Sequence, residues 1–184
     1  MLIEKITSWF FRPERLNGLA KSIISTCGNN YYLISKKLKN NDLDERLIIG
    51  FNFEMICYFI HMVDRTFYDS CDSQIFIKLM DKLFDAVCNE LHYIVRDCGY
   101  DVKHDQIVGD FGELLNERSI EYGEITKDWF NQISLRFGRL TTECLNVPEE
   151  IQFEIEIFAS MVVQSSFTEL LPEIRPIIKT HIAK

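Results

Sequence analysis

The segment LDERLIIGFNFEMICYFIHMVDRTFY, residues 43–68, is the most apolar part of the chain, and its few polar residues are spaced apart. Between residues 47 and 63 only Asn52, Glu54 and His61 are clearly polar. On a helix turning about 100° per residue, Leu47, Gly50, Cys57, Tyr58, His61, Asp64, Arg65 and Tyr68 all fall within about 80° of Glu54. Ile49, Phe53, Ile56, Phe59, Ile60, Val63 and Phe67 lie on the opposite side. A helix apolar over most of its circumference belongs in the middle of a bundle. Its mixed stripe is then buried or half-buried, and the charges on it need partners.

Its apolar stretch, residues 47–63, reaches the lower edge of the length that spans a bilayer. Glu54 would sit near the middle of such a span, with Asn52 and His61 close by, and polar groups there are costly. The sequence offers no second span. The expectation is therefore a buried core helix over about residues 43–69 and no transmembrane segment.

Working outward, the helical spacing persists. Residues 1–11 form a short amphipathic piece through Leu2, Ile3, Ile6, Trp9 and Phe10. Pro13 suits the first turn of a helix running to about Cys27. Gly28-Asn29-Asn30 reads as a turn, with helix resuming over residues 31–38. Asn40-Asn41-Asp42 breaks that helix and caps the central one. Asp72 or Ser73 caps a helix over residues 74–97 that Gly99 closes. Further helices are expected over residues 105–124 and 126–145. Asn146-Val147-Pro148-Glu149-Glu150 marks a restart into residues 151–171, with Pro172 and Pro176 bounding a short C-terminal helix or tail over 172–184. Strand alternation, internal repeats and long linkers are absent from the sequence. The fold class is all-α: one domain, an antiparallel bundle of about five to seven helices joined by short links.

Bulk composition narrows the function classes. The chain has 184 residues, 47% hydrophobic and 26% charged, with 14 Phe. That length can bury a full, aromatic-rich core. A net charge of −8 argues against nucleic-acid binding, which wants a basic face, and against docking on anionic lipid. Six cysteines are scattered without a C-x-x-C pair, and no secretory signal is visible, so reduced thiols and a cytoplasmic location are expected.

The candidate ligand-binding residues are Glu54, Tyr58, His61, Asp64 and Arg65 on the central stripe, joined by Arg118. Spacings of three and four let the stripe residues meet along one face. On the helix expected over residues 105–124, Arg118 shares a face with Phe111, Leu115 and Tyr122, and an arginine among apolar residues answers a buried acid or snorkels. An acid, an imidazole and a phenol converging in a bundle could bind a metal or transfer protons, or line a polar small-molecule pocket. The same residues read first, however, as a buried polar network that fixes helix register, with Glu54 or Asp64 paired to Arg118 and His61 bonded to a neighbouring helix.

No metal site or cofactor is expected. Carboxylate-bridged metal bundles need Glu-x-x-His on two helices, and the sequence has none. His92, placed on a polar face, is expected in solvent, and His104 and His181 give no ligand spacing. The row Asp110, Glu113, Glu117, Glu121 and Glu124 reads as a solvated face. No G-x-S-x-G elbow or phosphate loop occurs, and Cys57 four before His61 is only a face pair. The sequence therefore points to a non-enzymatic interaction or structural module that binds a protein partner or its own copy as a homodimer. A small-molecule- or metal-binding bundle using the stripe is the alternative.

Overall fold

The computed structural model describes residues 13–38 and 45–182. Among these residues are six helices: α1 Pro13–Leu38, α2 Glu45–Tyr68, α3 Ser73–Asp97, α4 His104–Gly123, α5 Trp129–Cys144 and α6 Glu149–Ile182. No strand occurs among the described residues. The expected N-terminal piece at residues 1–11, the cap at residues 40–42 and the last two residues lie outside them.

α2 touches all five other helices, as its apolar circumference requires. Phe51, Met55, Ile56, Phe59, Ile60, Val63 and Phe67 are buried in one continuous core that draws on every helix. Phe137 of α5 lies 6.0 Å from Phe51 and 5.2 Å from Tyr58 between ring centroids. On another side Phe111 of α4 sits between Phe53, edge-on at 5.7 Å, and Phe84, stacked at 5.9 Å. α2 is long and apolar enough to cross a membrane, but 61% of its apolar window is buried within the fold. Its greasiness is used internally.

Helices consecutive in the chain run antiparallel wherever paired contacts fix direction. Tyr68 meets Phe76 at the α2–α3 corner, and Gln164 bonds to Asn131 while Arg139 bonds to Glu156 between α5 and α6. α2 and α4, each antiparallel to α3, consequently run side by side in the same direction. Glu54 meets Arg118, and Arg65, three turns on, meets the end of α4. That parallel pairing builds the site described below.

The helix ends follow local chemistry. The Asp72 carboxylate accepts from the backbone N–H groups of Gln74 at 2.8 Å and Ile75 at 3.4 Å. Gly99 takes φ +87 just after α3, a left-handed position that costs glycine little. Asp128 is left-handed at φ 45 and accepts from the Asn131 amide, which starts α5 at Trp129 rather than at Thr126.

Two expected breaks are corrected. Gly28-Asn29-Asn30 does not turn the chain; α1 runs through it unbroken. Ile23, Cys27, Asn30 and Ile34 are buried at helical spacing, whereas Gly28 and Asn29 face outward. Packing on the inner face outweighs the weak helix propensity on the outer one. Pro172 and Pro176 likewise do not end the helix; both sit inside α6. Val163, Phe167, Leu170, Ile174, Ile177 and Ile178 keep one buried stripe across them. The Pro176 carbonyl accepts from Arg15 at 3.2 Å and from the Thr180 hydroxyl at 2.5 Å. Burial along this stripe thus offsets the roughly 3 kcal/mol that a proline costs in a helix interior.

Candidate functional site

The stripe on α2 faces α4 and α5, and it divides into two polar groups. The first is built on Glu54. Arg118 of α4 donates to both carboxylate oxygens, Nε at 2.6 Å and Nη2 at 2.5 Å, in a planar fork. Its third nitrogen, Nη1, donates to Glu121 at 3.0 Å. The other Glu121 oxygen accepts from Nε of Arg136 on α5. The result is a chain of alternating charge, Glu54–Arg118–Glu121–Arg136, tying three helices together. Side-chain exposure rises along it from 7% at Glu54 to 36% at Arg136, so the chain leads from the core towards solvent. The hydrogen bonds from Arg118 to Glu54 hold the guanidinium firmly protonated despite its partial burial.

The second group is built on His61 and Arg65, one turn apart. Arg65 Nη2 donates to the carbonyls of Tyr122 at 3.3 Å, Gly123 at 3.1 Å and Ile125 at 3.4 Å. Arg65 thus ties α2 to the C-terminal end of α4, where the Tyr122 carbonyl also accepts from the Ile125 N–H. Arg65 Nε donates to His61 Nε2 at 3.3 Å, which places the imidazole proton on Nδ1. Burial, then the adjacent Arg65 charge, lowers the His61 pKa from 6.5 to about 4, so the ring is neutral at physiological pH. Across the helix gap it lies 5.3 Å from the Tyr122 ring.

The other expected residues fall elsewhere. Tyr58 is buried, and its hydroxyl lies 2.8 Å from that of Ser134 on α5. Ser134 donates to the Phe130 carbonyl at 2.7 Å, so Tyr58 is the donor to Ser134 and its phenol is kept protonated by burial. Asp64 is half-buried beside Arg65; burial raises its pKa against the pull of that cation. Of the two acids expected to answer Arg118, Glu54 does so. The histidine bond runs within α2 to Arg65 rather than to a neighbouring helix.

Three features were not anticipated. Glu121 leaves the acidic row to bridge two arginines, while Asp110, Glu113, Glu117 and Glu124 stay exposed. Its spacing of three from Arg118 was the available signal. His92, expected in solvent, is half-buried, and its ring meets that of His104 edge-on at 5.4 Å. The Tyr122 hydroxyl is buried with no hydrogen-bond partner among the described residues. Burial and the nearby Glu54 keep it protonated.

Chemically the two central groups of the stripe are committed. Glu54 has both oxygens committed to Arg118, and His61 is uncharged with Nε2 occupied. Burial, reinforced by Glu54, holds the Cys57 thiol protonated, which makes it a poor nucleophile. Among the described residues no group of three His, Cys, Asp or Glu side chains is arranged to hold a metal ion. A cavity of about 380 Å³ does occur, but its lining comes from α1 and α6 alone and includes no residue of the stripe.

No protein-family model matches the chain, and neither a curated protein nor a solved structure does. The class is therefore defined by the fold itself, an all-α bundle around one buried helix.

Proposed function

We propose that the chain is a non-enzymatic interaction module of the cytoplasm that pairs with a second copy of itself through the outer face of α6. The observation that carries this reading is Phe153, 76% exposed, with Met161, 62% exposed, two turns further along the same helix. Half-buried Ile157 lies between them at i+4, so the three form one apolar edge. Large apolar groups clustered on one helix edge are the usual raw material of a helix–helix interface. The internal pairing of the stripe supports the same reading, because Glu54 and Arg65 already have their partners within the chain.

Size-exclusion chromatography with light scattering tests it. The expected result is a concentration-dependent dimer that Phe153→Asp or Met161→Asp converts to monomer without changing the helical circular dichroism. A clean monomer at the highest attainable concentration overturns self-association.

A second reading, a small-molecule-binding bundle using the stripe, draws on the buried Tyr122 hydroxyl that lacks a partner. Native mass spectrometry and elemental analysis of the purified protein address it. A stoichiometric adduct that disappears in Tyr122→Phe would favour this reading over the first.

A further inference from the structure

The α6 edge proposed above for self-association is small for that task. Even a large aromatic side chain offers only about 150–250 Å². Of the three side chains on the edge, Phe153 is 76% exposed, Met161 62% exposed and Ile157 half-buried. Stable pairing takes about 800 Å² from each partner. Further apolar surface must join the edge.

That surface lies in the groove between α1 and α6. The cavity of about 380 Å³ there has Met161 in its lining, so it is continuous with the edge. It extends to Phe158 and Val162 of α6 and to Leu33 of α1, which is 45% exposed. Glu169 is the only charged residue in the lining, so the groove suits an uncharged, apolar occupant. Contacts of Arg15 with Pro176, Asn30 with Ser166 and Lys37 with Glu154 run α1 antiparallel to α6. Leu33 thus stands level with the turn of Met161 and Val162, one turn beyond Ile157. Phe153 lies one turn before Ile157.

A projection and a recess on either side of one point are what a two-fold axis exchanges. Resting on the self-association proposed above, we infer that the groove is the seat for Phe153 of a second copy of this chain. The two α6 helices cross beside Ile157. Each Phe153 ring enters the groove of the other copy, against Leu33, Phe158 and Val162. The interface then draws on α1 as well as α6. Pairing through the α6 edges alone would leave both grooves open.

The test uses two variants and their mixture. Phe153→Ala removes the projection. Leu33→Trp fills the recess from an exposed position on α1 and leaves the core alone. By light scattering, each variant alone should dimerise about tenfold more weakly or worse, the usual loss at an interface anchor, with unchanged helical circular dichroism. Mixed in equal amounts, with one of them 15N-labelled, they should pair with each other in native mass spectrometry. The Leu33→Trp copy offers its Phe153 to the open groove of the Phe153→Ala copy, and at the other seat a missing ring meets a filled groove. The heterodimer should therefore outnumber the two homodimers combined, which random pairing makes equal to it.

A Leu33→Trp variant that dimerises like wild type overturns the inference and leaves self-association standing, because the α6 edge then suffices. Heterodimer no commoner than random pairing also overturns it. Monomeric wild type overturns both this inference and the reading beneath it. If Leu33→Trp disturbs the circular dichroism, Phe153→p-benzoylphenylalanine decides by photo-crosslinking. Links to Leu33, Phe158 or Val162 of the other copy are expected, and a dimer linked elsewhere or not at all overturns the seat.

Discussion

Glu54 depends on one partner for its place in the core. The Arg118 fork answers both its oxygens, and the carboxylate is almost wholly out of water. Arg118→Leu leaves that carboxylate without its cation and also frees one oxygen of Glu121. The expected cost is about 3–5 kcal/mol in urea denaturation, the range for breaking a buried pair from one side. Glu54→Leu combined with Arg118→Leu should recover most of it, because the charge and its desolvation penalty leave together. A double variant no more stable than Arg118→Leu alone would show that the pair does not set the cost. His61 gives a pH dependence whose sign follows from its lowered pKa. Between its ordinary value of 6.5 and about 4, the unfolded chain binds the proton and the folded chain does not. Stability therefore falls as pH drops through that window and is fully present above it. The groups facing the ring are Arg65 on its own helix, whose charge reinforces the shift, and Tyr122 of α4, which stays neutral. Asp64, with a raised pKa, works in the opposite sense, since protonating it relieves a burial cost. Moving from pH 7 to pH 5 should cost wild type about 2 kcal/mol more than His61→Gln in urea denaturation. Equal losses in the two proteins would place the His61 pKa near its ordinary value.

Elements read differently from residues, because a helix can carry a poor helix former on its free side. Gly28 shows this directly. It looks like a turn residue, but it lies inside α1, faces outward, and a Cβ built on it meets nothing within 4 Å. Gly28→Ala should raise stability by about 0.5–1 kcal/mol, by restricting the unfolded chain and improving propensity. A destabilising Ala would mean that the chain does turn there. Gly138 is the opposite case. A Cβ on it would fall inside the van der Waals shell of the Glu156 backbone carbonyl, where α6 packs against α5 beside the Arg139–Glu156 pair. Backbone cannot yield as a side-chain tip can, so Gly138→Ala should cost about 1–3 kcal/mol by thermal or urea unfolding. Nothing in the sequence distinguished these two glycines. Gly28-Asn29-Asn30, Pro172 and Pro176 were read as stops from local propensity alone. The buried stripes of Ile23, Cys27 and Ile34, and of Phe167, Leu170 and Ile174, run through them. Asp72 and Gly99 behaved as expected because no such stripe continues past them.

At the scale of the molecule, α2 was legible because its composition left few alternatives: a helix apolar nearly all round needs neighbours on every side. Its contact with all five other helices is the outcome. That an acid of the α2 stripe answers Arg118 was legible for a related reason, since Arg118 was a charge on an apolar face, but the sequence offered Glu54 and Asp64 alike and only the packing selects Glu54. The continuation of that pair to Glu121 and Arg136 was not legible, because which surface charges of α4 and α5 approach each other depends on packing angles that no single helix encodes. The same holds for Asn30 and Ser166, distant in sequence and joined only by the antiparallel contact of α1 with α6. One consequence can be measured on the whole chain. The buried residues form a single cluster that includes members of all six helices. Removing any one helix would expose α2, so no subset has a closed core of its own. Urea unfolding should therefore be one cooperative transition. Trp129, half-buried at the start of α5, reports on tertiary packing at one end of that helix, while circular dichroism reports on all six. In a Trp9→Phe background, which leaves Trp129 as the sole tryptophan, the two signals should share one midpoint and one slope. An earlier fluorescence transition would mean that α5 and α6 peel away while α2 keeps its remaining neighbours, and the bundle would then be two folding units.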